Sequence, residues 1–399
     1  MFTLHRAPFV LIIRCHLIVV VILLIGLCLR AAAQEVVQTG HECLCQTLAP
    51  DPFTPEARSK AADLLKQMTL EEKIGQMNML FGPIVPSVKV DENEVRRGQV
   101  GALLFVTEPK AINHLQHIAV DESRLHIPLM FGFDVIHGYR TIFPVPLALA
   151  ATWDMPLITR MQAAAAQEAR AVGIDWTFAP MVDIARDARW GRIVEGAGED
   201  PFLGASVARA QVVGFQGAKV GTPQHLLATV KHFAAYGAAE GGRDYDSVYL
   251  PDVLLHNVYF PPYKEGIDAG AAVVMSSYQD LNDIPATGNE FLLRQILRNE
   301  WGFKGFVVSD SGAVHDLKVH GFARSPEDAA FRAVDAGVNM EMSMPQLNST
   351  YSPYLAGLVR ESKVSIDTID AAVLPFSLPN FKWGCSIIRM STNPKLSRS

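Results

Sequence analysis

Short apolar runs alternate with longer, partly polar stretches from about Thr54 to Ala372. The runs are Val100–Val106, Pro128–Phe133, Asp175–Val182, Leu226–Phe233, Ala272–Tyr278, Gly305–Asp310 and Val338–Met342. They read as short buried strands; Gly305–Val308, apolar, β-branched and glycine-bounded, is the clearest. Helix-like stretches fall between them at Leu157–Val172, Gly204–Gly217, Val253–Ala269, Glu290–Glu300 and Pro326–Ala336. Ahead of the first run, Thr54-Pro55 opens a helix through Leu64 and Leu65. Thr69 and Glu72 have the spacing of a capping box for a second helix, Leu70–Met79. Strand–helix alternation with buried strands predicts a parallel sheet covered by helices. Seven or so repeats suit a closed or nearly closed α/β barrel, which takes roughly 250 residues. An open doubly wound sheet is the alternative, and no Gly-x-Gly-x-x-Gly follows the first strand to support it.

The strand ends are polar. Asp134 closes the run Phe131-Gly132-Phe133. Asp183 closes the next, and Arg192 follows in its loop. Lys231-His232-Phe233, Ser276-Ser277-Tyr278 and Asp310 end the others. In an α/β barrel these tips share one rim, where such folds keep their chemistry. Polar groups there are costly to bury unless they satisfy each other or a ligand. Each also has an ordinary structural reading. Asp310 and Asp134 could cap the helices that follow them. Arg192 could clamp its loop through Glu195 or Glu199, and Lys231 could neutralise a neighbouring carboxylate. His232 could be a satisfied core histidine, and Tyr278 could pack with a tethered hydroxyl. Five elements ending the same way favour a shared site.

Composition narrows the ligand. About half of the 399 residues are hydrophobic (49%), enough for one large core, and the formal charge is a mild −6. No basic stripe suggests nucleic acid and no acidic block suggests disorder. Asp, Arg, Lys, His and Tyr together suit a hydroxyl-rich ligand, because charged groups hydrogen-bond strongly to OH. A phosphate site would want a glycine-rich turn at a helix N-terminus. No set of carboxylates or histidines has metal-ligand spacing. A neutral sugar is the expected ligand, with no cofactor and no metal.

The N-terminus differs in kind. Arg6 and Arg14 precede the 13-residue apolar run Leu17–Leu29, and Ala31-Ala32-Ala33 follows. That is a secretory signal pattern, too short for a span of roughly 20 residues, with an uncleaved anchor as the alternative. The expected location is periplasmic or secreted, with no membrane partner unless the segment stays attached. Five cysteines do not make a disulfide framework. Cys15 and Cys28 fall in the leader, Cys43 and Cys45 are too close for an easy bridge, and Cys385 lies in the tail. No structural zinc is expected.

Phe133-Asp134-Val135-Ile136-His137-Gly138, Asp187-Ala188-Arg189-Trp190-Gly191-Arg192, Lys231-His232-Phe233 and Val308-Ser309-Asp310 resemble, in order and spacing, the motifs of glycoside hydrolase family 3. The stretch Lys231 to Arg243 resembles its bacterial periplasmic β-glucosidase branch. The resemblance implies a (β/α)8-like first domain and a retaining mechanism on β-glucosides or small oligosaccharides. It implies that Asp310 is the nucleophile and that Asp134, Arg192, Lys231, His232 and Tyr278 hold the sugar hydroxyls. In that branch the acid/base is a Glu of a second α/β domain, which is expected to be absent here. The β-N-acetylglucosaminidases use an Asp–His pair after the Lys-His-Phe motif, and Tyr236 stands at the place of that His.

The expected organisation is a leader at 1–33, an exposed lead-in at 34–53, the barrel at 54–374 and a divergent tail at 375–399. The family continues after its barrel with a segment like Lys-Met-Gly-Leu-Phe-Asp-x-Pro-Tyr. Codons permitted for Lys382 to Met390, read two bases out of phase, encode Met-Gly-Leu-Phe-Asp-His-Pro-Tyr. The tail is therefore expected to be a frameshift product, and the chain to be an impaired β-glucosidase. An inert sugar-binding barrel, a β-xylosidase and an N-acetylhexosaminidase are the alternatives.

Overall fold

Eight short parallel strands form the centre of the structure: β1 Asn78–Phe81, β2 Ala102–Leu104, β3 Met130–Phe133, β4 Trp176–Thr177, β5 Thr229–Phe233, β6 Val273–Ser276, β7 Phe306–Ser309 and β8 Glu341–Met342. The computed structural model describes residues 48–83, 88–217, 220–344 and 349–382. Ladders run in the orders β8-β1-β2-β3-β4 and β5-β6-β7. Two seams close the ring. Parallel bridges Trp176–Leu227 and Met181–Lys231 join the fourth and fifth segments, and Val308–Met340 joins the seventh and eighth. With helices between successive strands, this is an α/β barrel of the (β/α)8 type.

Alternation along the strands explains the apolar runs. Met79, Ala102, Leu104, Met130, Trp176, Val273, Met275, Phe306, Val308 and Met342 are buried in one cluster. Their neighbours point the other way: Leu103 and Phe131 join Ile112 and Leu115 of a covering helix, and Val274 and Val307 join Ala165, Ala208 and Phe215. Both faces are covered, so the strands read as continuous rather than alternating hydrophobic stretches. Gly132 is required by this packing, since a Cβ there would stand 2.6 Å from the Phe178 ring.

The opposite, N-terminal end of the barrel is closed by aromatic packing. Trp176 meets Phe306 at 5.2 Å between ring centres, and Phe306 meets Phe376 at 5.5 Å. Phe376 comes from the helix Ile366–Lys382, and Phe53, Ala57 and Ala61 complete this floor.

Local signals start the helices where they stand. Thr69 and Glu72 exchange both bonds of the capping box. Thr54, Asp154, Asp200 and Ser325 each accept an amide of the first turn at Pro55–Leu65, Met155–Ala171, Pro201–Gln216 and Pro326–Ala336. Each such cap is worth about 1 kcal/mol.

Several expectations need correction. The second helix ends at Gln76 rather than Met79, and β1 begins at Asn78. The strands are shorter than the apolar runs that announced them; within 175–182 only Trp176–Thr177 is regular strand. Ala49 is buried and its amide bonds Trp301 O at 2.8 Å, so the lead-in is not exposed at its end. Apart from these, the helix Ile366–Lys382 runs through positions 374 and 375, and Phe376 on it is buried. The leader, all five cysteines and the tail beyond Lys382 lie outside the described residues.

Candidate active site

Five of the six singled-out side chains stand at the C-terminal ends of barrel strands, Arg192 comes from the loop after β4, and short contacts link them. Lys231 Nζ donates to Asp134 Oδ1 at 3.1 Å. Arg192 reaches His232 Nε2 at 3.1 Å. His232 Nε2 lies 3.5 Å from Asp310 Oδ2. Beyond the effect of burial, the Asp310 carboxylate is close enough to Tyr278 for its charge to raise the hydroxyl's pKa.

Strand β5 makes this possible by departing from regular geometry. In a regular strand Lys231 and His232 would face opposite sides. The β5–β6 register shifts between Val230 and Phe233, and such an irregularity re-aims side chains. Both residues thus reach carboxylates of the cluster, Lys231 at Asp134 and His232 at Asp183 and Asp310, although they are only 4% and 0% exposed.

The tautomer of His232 follows from its partners. Its Nδ1 faces Asp183 Oδ2 at 2.8 Å, and its backbone amide donates to the same oxygen at 3.1 Å. Its Nε2 faces a guanidinium, which can only donate. The imidazole is therefore neutral, with its proton on Nδ1 and its Nε2 lone pair turned to the rim. Burial, and then the Arg192 charge, push its pKa down, in agreement. The approach of Nε2 to Asp310 is consequently not an ion pair.

Asp183 holds this arrangement from below. It is 1% exposed, accepts the Tyr263 hydroxyl at 2.5 Å, and burial pushes its carboxyl up to about 6. Arg192 is gripped at two points by Glu195, at 2.7 and 3.2 Å. Burial opposes its charge, but Glu195 outweighs it and the guanidinium pKa is raised. Its guanidinium also lies 5.5 Å from the Tyr236 ring centre. The loop-clamp reading of Arg192 and its place at the rim thus hold together.

Asp310 is 8% exposed. Its Oδ1 accepts the Ser311 amide at 2.7 Å. It does not cap the following helix, whose N-cap is Gly312 in the left-handed region at φ 75°. Asp134 caps no helix either; it pairs with Lys231. Burial, followed by the charge of Asp310, raises the Tyr278 hydroxyl pKa.

Three further side chains, Asp183, Glu195 and Tyr236, complete the cluster, and exposed Tyr245 packs outside it against Tyr278. Asp183 ends a strand run and Glu195 stands three residues after Arg192, so both carried a readable signal. Tyr236 and Tyr245 had none, because a loop brings them in. Asp244, on that loop, accepts the Trp190 indole at 2.9 Å, whereas Asp246 pairs with exposed Arg243. Among the described residues no group of three or more His, Cys, Asp or Glu side chains has a metal-site arrangement.

The comparisons fall on the same segment. Residues 69–374 match the model of the glycosyl hydrolase family 3 N terminal domain. A periplasmic beta-glucosidase of Salmonella typhimurium is 44% identical over 323 residues, covering 80% of this chain and 42% of that protein. A beta-xylosidase of Formosa agariphila is 31% identical over 348 residues, covering 82% and 43%. The beta-glucosidase from Listeria innocua in complex with isofagomine superposes with TM-score 0.79 at 38% identity, covering 85% of this chain and 48% of that one. The chain spans less than half the length of these relatives. With a closed eight-stranded barrel, a polar rim and a family match over most of its length, the chain belongs to glycosyl hydrolase family 3, and residues 69–374 are its N-terminal domain.

Proposed function

We propose that this chain carries the glycone site and nucleophile of a retaining β-glucosidase acting on terminal non-reducing β-D-glucosyl residues. The observation that carries this reading is Asp310: one nearly buried carboxylate at the rim, bonded by the Ser311 amide and 3.5 Å from His232 Nε2, beside Asp134, Lys231, Arg192 and Tyr278. Asp310 attacks the anomeric carbon and forms a glycosyl ester. The leaving-group oxygen takes its proton from an acid on the other face of the ring, about 5–5.5 Å from the nucleophile, and water later hydrolyses the ester. Family resemblance assigns that acid to the part of the relatives that follows their barrel. Asp134 with Lys231 and Arg192 offer both acceptors and donors to sugar hydroxyls, the mix a neutral polyol requires. The name of the Salmonella typhimurium relative supports a periplasmic location and a glucosyl substrate.

A 2-deoxy-2-fluoro-glucosyl fluoride probe tests the reading. The expected result is one glycosyl adduct on the Asp310 peptide, absent in Asp310→Asn. Glucose binding without an adduct would favour an inert sugar-binding domain. A β-xylosidase is the second reading, supported by the Formosa agariphila relative. Tighter binding of xylose than of glucose would select it.

A further inference from the structure

We propose that Tyr245 is the aglycone platform of this site, the side chain against which the ring beyond the scissile bond stacks. The inference rests on the glycosidase reading and adds a residue to it.

Burial falls in order from the carboxylate cluster outward. His232 is 0% and Asp310 8% exposed, Tyr278 is half-buried, and Tyr245 is 56% exposed. The rings form a continuous path. His232 meets Tyr236 edge-on at 5.4 Å, Tyr236 meets Tyr278 at 6.0 Å, and Tyr278 meets Tyr245 at 5.0 Å. A glycone seated on Asp310, with its hydroxyls on the buried groups, points its anomeric substituent towards solvent. Tyr278 and then Tyr245 are the aromatic faces of rising exposure next to the cluster.

A single exposed aromatic is ordinary on a protein surface. Three features distinguish this one. It makes ring contacts with both Tyr278 and Tyr236, the two tyrosines beside the carboxylate cluster. Its backbone is held at φ 69°, a region a bulky residue adopts at a cost. And the loop that holds it is fastened. Glu240 N bonds Ser247 O at 3.1 Å, Val248 N bonds Asp280 O at 2.8 Å, and Asn282 N bonds Val248 O at 2.8 Å. Asn282 adds two side-chain bonds to Leu250, both at 3.0 Å, and the Trp190 indole ties Asp244 beside the tyrosine. A rigid aromatic face loses little entropy when a ring stacks on it. The ligand class is therefore an aglycone with a flat or apolar ring face, either a second β-linked sugar or an aryl group.

Calorimetry on the chain with glucose and with phenyl 1-thio-β-glucoside, which is not hydrolysed, tests this. Tyr245→Ala should weaken the thioglucoside roughly two- to tenfold, the span of one aromatic contact, and leave glucose unchanged. Tyr245→Phe should behave as the parent, since the ring and not the hydroxyl acts. A thioglucoside affinity that does not move, or a parallel loss for both ligands, overturns the proposal. A parent chain that binds neither ligand sinks the glycosidase reading and this one with it, a result distinct from the other two.

Discussion

The two ends of the barrel are equally buried and chemically opposite. At the floor, Trp176, Phe306 and Phe376 meet edge-on, and the cluster around them is apolar. At the rim, Asp183, Lys231, His232 and Asp310 are nearly as enclosed, yet each carries or shares a charge. Dispersion and desolvation of apolar surface hold the first without direction. The second survives burial only because every group has a partner. Floor residues are therefore exchangeable at a cost in stability, and rim residues at a cost in chemistry. A polar group is also out of register at the rim alone, on the irregular part of β5.

The sharpest test of that contrast is Asp310→Asn. It should cut turnover by about 10⁴-fold or more and abolish the fluoroglucosyl adduct, with a melting temperature close to the parent's. A large loss of folding would move Asp310 into the structural class. Phe306→Ala should show the converse. It should cost about 3–5 kcal/mol in urea unfolding, while the remaining folded protein binds glucose with parental affinity. Weaker glucose binding by that variant would show that floor and rim are coupled.

Lys231→Met removes a charge that is 5% exposed, while its partner Asp134 is 34% exposed and can rehydrate. Stability should change by about 1 kcal/mol or less, whereas glucose affinity should fall roughly 10- to 100-fold, the loss of one charge-assisted bond. Equal effects on both would place Lys231 with the floor.

Asp183 gives a pH dependence. Its folded pKa of about 6 lies above the usual 3.8. The folded state therefore holds the proton more tightly, and this group's contribution to stability is full below about pH 4 and lost as pH rises through about 6. Function runs the other way. Above about 6 the carboxylate fixes the His232 proton on Nδ1, and below it that acceptor is lost. Glucose affinity should fall as pH drops through 6, and Asp183→Asn should flatten both profiles. An unchanged pH profile in that variant would remove Asp183 from the site. The smallest effect is expected on the barrel's exterior. Lys363→Ala breaks an exposed contact with Glu327 at 3.2 Å and should change stability by less than about 0.5 kcal/mol.

Local signals were legible wherever one residue's chemistry sufficed. The capping box at Thr69 and Glu72, the helix Pro326–Ala336 and the buried strand before Asp310 all stand where their patterns placed them. β1 was not legible. Asn78-Met79-Leu80-Phe81 lacks β-branched residues and follows a helix after one residue, so its pattern continues the helix. It becomes strand because β8 and β2 pair with it on both sides, Met79 facing Met342 and Ala102. The sequence from Pro375 onward has no clear period, yet Phe376 finds the barrel floor.

What the chain's own order of residues determined is the alternation of buried strand and helix and a polar residue at five of the strand tips. That follows from side-chain period and from the cost of burying polar groups. Tertiary structure alone decided that these tips converge, that Lys231 and His232 face one side, and that His232 is neutral with its proton on Nδ1. Those outcomes depend on ring closure, on a register shift and on partners 40 to 97 positions away in sequence. No local pattern encodes contacts at such separation.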